Sequence, residues 1–237
     1  MKVRVKFAKY GCMRFIGHLD VMRFFQKALR RAGIDVAYST GFSPHQIMSF
    51  ASPLGVGMCS NGEYMDIELR STELRSAKMC RRLNEACVPG IEVLSVKVLP
   101  ETAGNAMASV AAARYTVHFK DPSSDFHFLE GALEGFLEQP GITVTKETKK
   151  GSSQMDIRPG IYECRVTPEG RLEFMVDASS GGNIKPALLL GALWEYAGME
   201  QELPLLKLQL TREETYTNTG TAEKPVFVPL DEVGDDF

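Results

Sequence analysis

The stretch "KVRVKFAKYGCMRFIGHLDVMRFFQKALRRAG", residues 2–33, decides the fold because its period changes midway. Residues 2–9 alternate, with Val3, Val5 and Phe7 on one face, as a half-buried strand does. From His18 the apolar residues recur at helical spacing until Gly33 supplies a stop. After an uncharged segment, with a strand expected around Ile47 to Ala51, "EYMDIELR" sets Tyr64, Asp66 and Glu68 against Met65, Ile67 and Leu69. "STELRSAKMCRRLNEACVPG" then reads as a helix opened by a capping box at Ser71 or Thr72 and closed by Pro89 and Gly90. "IEVLSVKVLP" completes a strand, helix, strand, strand, helix, strand order.

The same order recurs after "ETAGNAMASVAAA". "RYTVHFK" is a strand, "DFHFLEGALEGFLEQPG" a helix, "ITVTKETKK" and "RLEFMVDAS" strands, "KPALLLGALWEYAG" a helix and "LPLLKLQLTREETY" a closing strand. The expected class is therefore α+β, built as two ferredoxin-like β-α-β-β-α-β units in tandem. The expected boundaries are a first domain over residues 1–100, a connection over 101–113, a second domain over 114–216 and an extended or mobile tail over 217–237. The interval 151–170 has room for an extra strand or hairpin.

Composition narrows the class. No run of eighteen apolar residues could span a bilayer, and the alternating start is unlike a signal peptide, so a chain without membrane contact is expected. The five cysteines are odd in number and lack a C-x-x-C pair, which suits reduced thiols and a cytoplasmic location. No histidine lies two to four residues from a cysteine, so no metal site and no cofactor are expected. Residues 1–100 hold 15 Lys/Arg against 8 Asp/Glu, whereas residues 101–237 hold 12 against 22. Such a split suggests an anionic partner for the first half.

Two segments carry the candidate chemistry. On the first helix Arg23, Lys27, Arg30 and Arg31 share one stripe, opposite Val21, Phe25, Ala28 and Leu29, and form a candidate phosphate-binding face. The segment from Ser39 to Gly62 holds no charged side chain, and its Phe42 and Phe50 are candidates for stacking on bases. His18, Asp20 and His45 are the candidate acid and base groups, with Tyr38, Ser39 and Glu63 within the same motif region.

These residues also carry a resemblance. Phe15, Ile16, Gly17, His18, Leu19, Asp20 and Arg23, then Arg30, Arg31 and Ala32, match its first block. Tyr38, Ser39, Gly41, Phe42, Pro44 and His45 follow, then Phe50, Ala51, Pro53, Leu54 and Glu63. Over residues 5–70 the chain resembles the radical SAM-linked family, a bacterial domain of unknown function; "QMDIRPGI" and "GGNIKPALLLGAL" fit its later segments in outline. The resemblance implies a partner, because such domains are encoded beside, or fused to, radical SAM proteins of a cobalamin-binding type. The cysteine spacings here cannot give the cluster-binding C-x-x-x-C-x-x-C, so the chain itself is not such an enzyme.

Three functions stay open on sequence. One is an accessory module that binds RNA or an RNA-associated substrate for the radical SAM partner. Another is an RNA-processing enzyme, a metal-independent nuclease or a pseudouridine synthase-like protein. The third is a structural adaptor.

Overall fold

The computed structural model describes residues 1–148 and 151–237. Its elements run β1 (Lys2–Lys9), α1 (His18–Arg31), β2 (Met48–Phe50), β3 (Cys59–Glu68), α2 (Ser76–Ala86), β4 (Ile91–Val98) and α3 (Ala106–Ser109). They continue with β5 (Ala112–Phe119), α4 (Glu130–Glu138), β6 (Thr143–Thr148), β7 (Gly151–Asp156), β8 (Ile161–Val166), β9 (Leu172–Asp177), α5 (Pro186–Tyr196), β10 (Leu208–Asn218) and β11 (Phe227–Pro229). The chain forms two compact units, one of Met1–Ala111 with Arg212–Phe237 and one of Ala112–Thr211. That division departs from the expected halves, because the last 26 residues return to the first unit.

In the first unit β1 lies between β4 and β3 and is antiparallel to both, while β2 pairs antiparallel with β3. One face follows from the alternation. Val3, Val5, Phe7, Met65, Ile67, Val93 and Val96 meet Val21, Phe25 and Leu29 of α1 and Met79 and Leu83 of α2 in a single buried cluster. The second helix starts later than its capping-box pattern suggests. Ser71 Oγ donates to Asp35, 36 positions earlier, and Thr72 Oγ1 accepts from the Leu74 N–H in a local turn, so neither hydroxyl caps the helix and α2 begins at Ser76.

The opposite face of this sheet is polar and also covered. Arg4, Tyr64 and Asp66 are buried. Arg4 Nε and Nη2 donate to the two Asp66 carboxylate oxygens at 2.7 and 3.0 Å, and Arg4 Nη1 reaches the Leu230 carbonyl at 2.9 Å. Asp66 also accepts the Ala106 N–H at 2.7 Å, so the small-residue segment expected as a connection packs onto the first unit instead. Tyr64 Oη lies 2.7 Å from Glu214 and 2.9 Å from Asp231, and Ser95 Oγ donates to Asp231 at 2.6 Å. Lys6 pairs with Glu214. Burial, with those two carboxylates beside it, pushes the Tyr64 hydroxyl far above the usual phenol range.

Residues 217–237, expected as an extended or mobile tail, therefore form a built part of the first unit. They supply β11, which is antiparallel to β10, and a 3-10 turn at Leu230–Val233. Beyond it Asp235 forms a bridge with Val98, and Phe237 packs against the core. Together with Glu101, Glu213 and Glu214, their acids remove the charge asymmetry. The first unit holds 17 Lys/Arg against 16 Asp/Glu, where residues 1–100 alone hold 15 against 8.

In the second unit β9 pairs antiparallel with β5 and β8, and the core gathers Tyr115, Phe126, Phe136, Phe174 and Leu189. The expected repeat is not reproduced strand for strand. The interval 151–170 holds β7 and β8, and β6 and β7 form a separate antiparallel ribbon. The cause is composition, since the "GSSQMD" of β7 is mostly exposed and offers no apolar face to bury. The last two residues of "ITVTKETKK", Lys149 and Lys150, lie outside the described residues.

The covering of the polar face has a direct test. Asp231→Ala removes one acceptor from Tyr64 and the acceptor of Ser95, a loss of about 1–3 kcal/mol. Amide hydrogen exchange should then show faster exchange at Val98 and Asp235, with the β1–β3 amides unchanged. Equal protection in both proteins would show that Asp231 does not hold this segment.

Candidate functional site

The uncharged segment is an ordered loop, strand and turn. Tyr38 forms a bridge with Gln46, and the Ser39 N–H donates to the His45 carbonyl at 2.8 Å. Ser39 Oγ accepts the His45 N–H at 3.1 Å and lies 2.9 Å from His45 Nδ1, which closes the loop across its base. Gly41, at φ +109°, makes the turn at the tip, beside a fully exposed Phe42. Further along, the Gly57 N–H donates to the Arg14 carbonyl at 2.8 Å. That bond ties the segment to the 3-10 turn Gly11–Phe15, which leads into α1.

Beneath this segment lies a buried polar group. Glu63, on β3, meets Arg212 Nη1 at 2.9 Å, and both side chains are more than nine-tenths buried. Arg212 also points at the Ser52 and Pro53 carbonyls, at 3.3 and 3.4 Å, and so holds the segment after β2 against β3. Lys9, buried at the end of β1, donates to the Ile16 carbonyl at 3.2 Å just before α1. Burial lowers the Lys9 pKa, and the Glu63 carboxylate opposes that shift. Phe7, Lys9, His18, Val21, Phe50, Leu54 and Glu63 line a cavity of about 10 Å³. A space of that size suits one water and excludes a substrate.

The three candidate acid and base groups have separate partners. His18 stands edge-on to Phe50 at 5.2 Å and faces the small cavity. Asp20 is exposed and pairs with Arg23 at 3.2 Å. His45 is held by Ser39. Among the described residues no group of three His, Cys, Asp or Glu could hold a metal ion. Burial pushes the thiols of Cys87 up to about 11 and of Cys164 up to about 12, so neither is an activated nucleophile.

The stacking candidates divide. Phe42 is free to contact a ligand, but Phe50 is buried, packed against Phe7 at 6.1 Å and Phe25 at 6.2 Å. Phe50 is thus a core residue and cannot stack on a base. The basic stripe is exposed along α1 but partly engaged. Arg23 pairs with Asp20, Arg30 Nε donates to the Gln26 carbonyl, and Arg31 Nη2 donates to the Ala86 carbonyl at 2.7 Å. Lys27 has no partner among the described residues. Tyr38 and Pro44 are exposed, so the motif loop presents ring surface with no charge.

Sequence reasoning did not find Lys9 or Arg212. Lys9 interrupts the strand pattern, and Arg212 is the one cation within β10, but both signals are too local to show burial. The reasoning also missed the exposed apolar set. Phe15, Leu19 and Val56 are each more than half exposed, and Arg14 stacks over Phe15 at 4.6 Å.

The family model described as "Uncharacterized protein conserved in bacteria (DUF2344)" covers residues 2–186. No curated protein matches the chain.

The lowered pKa of Lys9 sets a sign that can be measured. Between that lowered value and the ordinary lysine value of about 10.4, the unfolded chain holds a proton that the native Lys9 does not. The contribution of Lys9 to stability therefore rises with pH across that window. In urea unfolding the wild type should gain on Lys9→Met as pH rises from about 8 to about 10, while other titrating groups cancel between the two. A gap that stays constant with pH would show that Lys9 is fully charged in the native state.

Proposed function

The chain belongs to this family of uncharacterized bacterial proteins, and we propose that it serves as an accessory binding module that engages a partner protein through its motif face. One observation carries the reading. The buried ionic groups beneath the motif are tied down, Glu63 to Arg212 and Lys9 to the Ile16 carbonyl, and His18 lies against Phe50, while Phe15, Leu19, Phe42 and Val56 stand exposed. A catalytic site needs its acid and base groups at a space large enough for substrate, and the cavity beside His18 is not. Exposed aromatic and aliphatic side chains at the start of α1 and on the uncharged segment suit the anchors of a protein interface.

The partner we assign is a radical SAM protein, on the strength of the motif resemblance. We also assign the first unit to the ferredoxin-like class, which the order β4-β1-β3 with β2 beside β3 supports. RNA binding is the second reading. It is favoured by the exposed Arg23, Lys27 and Arg30 along α1, although the first unit as a whole is near neutral.

Titration calorimetry of the full chain against a radical SAM protein of the cobalamin-binding type tests the first reading. Phe15→Ser/Leu19→Ser should weaken binding by at least about tenfold, as loss of central apolar anchors does. Fluorescence anisotropy with labelled RNA at about 50 and about 200 mM salt tests the second. Salt-sensitive RNA binding lost in Arg23→Glu/Arg30→Glu would replace the first reading with the second. Binding to neither would overturn both.

A further inference from the structure

The charge of the first unit is divided between its layers. Helices α1 and α2 send side chains into the same buried cluster and so lie on one face of the β4-β1-β3 sheet. Arg23, Lys27, Arg30 and Arg31 on α1 and Lys78, Arg81 and Arg82 on α2 face only Asp20 and Glu85 within the two helices. Of the unit's 17 Lys/Arg and 16 Asp/Glu, that leaves 10 against 14 for the remainder, so the helical layer is +5 and the remainder −4. All seven helical cations are exposed, and Lys27, Lys78, Arg81 and Arg82 have no partner among the described residues. An ordinary solvated face mixes both signs, whereas this one is built for an anion.

Where the two helices end, their cations meet at a groove of about 780 Å³. Arg31 and Arg82 line it together with the apolar Phe24, Ala32 and Val88, and Glu85 is the acid in its lining. Arg31 Nη2 donates to the Ala86 carbonyl at 2.7 Å, which fixes the guanidinium and covers the negative end of α2. Arg82 stands beside Gly33, where an added Cβ would lie 3.9 Å from Arg82 Nη1. Gly33 and Arg82 also line a second groove, of about 320 Å³, to which α2 adds Lys78. Asp35 and Glu73 lie in that groove as well, and Asp35 is taken by Ser71. Five of the seven cations are arginines, whose planar fork matches phosphate oxygens. A groove holding an aromatic ring beside two guanidiniums suits an unstacked base with phosphates on either side. A lipid surface or an acidic protein face would use the charge and leave the groove unused.

We propose that single-stranded RNA crosses the α1–α2 face, with one base in the groove beside Phe24 and the flanking phosphates on Arg31, Arg82 and Lys78. This site rests on the RNA reading above and moves it, because the strand passes from α1 over Gly33 to α2 and not from α1 to Phe42. Lys27 and Arg30 extend the phosphate track along α1. The acids of the returning segment do not oppose it. Glu214 and Asp231 lie with Tyr64 on the opposite face of the sheet, and salt screens charges beyond about 8 Å.

Fluorescence anisotropy on the full chain tests this at about 50 and about 200 mM salt. The labelled probes are a uridine dodecamer, the same ribose-phosphate chain without bases, an RNA duplex, a thymidine dodecamer and a glutamate dodecapeptide. The uridine strand should bind at least about fivefold more tightly than the abasic chain, as one stacked base requires. Its affinity should fall at least about tenfold between the two salts. Lys78→Glu/Arg82→Glu should weaken it at least about tenfold. Arg171→Glu/Lys224→Glu, the same change of charge away from the helices, should leave it within about twofold of wild type. A thermal melt of each variant checks that it is folded. Binding lost in Arg23→Glu/Arg30→Glu but kept in folded Lys78→Glu/Arg82→Glu would overturn this site and leave the RNA reading standing. Equal binding of the abasic chain, the duplex or the peptide, or tighter binding of the thymidine strand, would also overturn it. No RNA binding at all would overturn both.

Discussion

The buried ion pair between Glu63 and Arg212 is the constraint on which the first unit depends. Its partners are 149 positions apart, and each is nearly lost to solvent. Removing a charge from water costs several kcal/mol, so neither residue can be buried without the other. Arg212 is also where the chain re-enters the first unit, at the boundary within β10. The pair therefore couples the motif to the return of the last 26 residues, which bring Glu214 and Asp231 over Lys6 and Tyr64.

That return explains why the charge of the sequence misleads. Counted along the chain, the first hundred residues look like a basic domain seeking an anion. Counted in space, the acids of the last segment lie in the same unit, and Lys6 and Lys97 are already paired with Glu214 and Asp236. What remains basic is local, along α1 and α2. Beneath the motif, Glu63 and Lys9 serve as internal ties, while Phe15 and Phe42 stand on the surface.

Local pattern made much of the fold legible. The alternation in β1 and β3 and the helical spacing in α1 assign both type and one buried face, and α5 is legible as a helix, because each depends on near neighbours only. The start of α2 was not legible, since Ser71 is drawn to the distant Asp35 and Thr72 to a local turn instead of a cap. The covering of the polar face was equally hidden. Tyr64 and Asp66 read as solvent-facing until the segments around Ala106 and Leu230 are placed over them. At the site, the sequence showed which residues belong together but not which way they point. Phe42 and Phe50 look alike in the sequence, yet one is fully exposed and the other is packed against Phe7 and Phe25.

A double-mutant cycle on Glu63→Gln and Arg212→Met, followed by urea unfolding, is the most direct test of this account. Each single change should cost about 3–5 kcal/mol, because it leaves one buried charge without its partner. The double variant should be more stable than the sum of the two losses predicts, by about 2 kcal/mol or more. Two small losses that simply add would contradict it, and would mean that the motif is held to β10 by packing rather than by this pair.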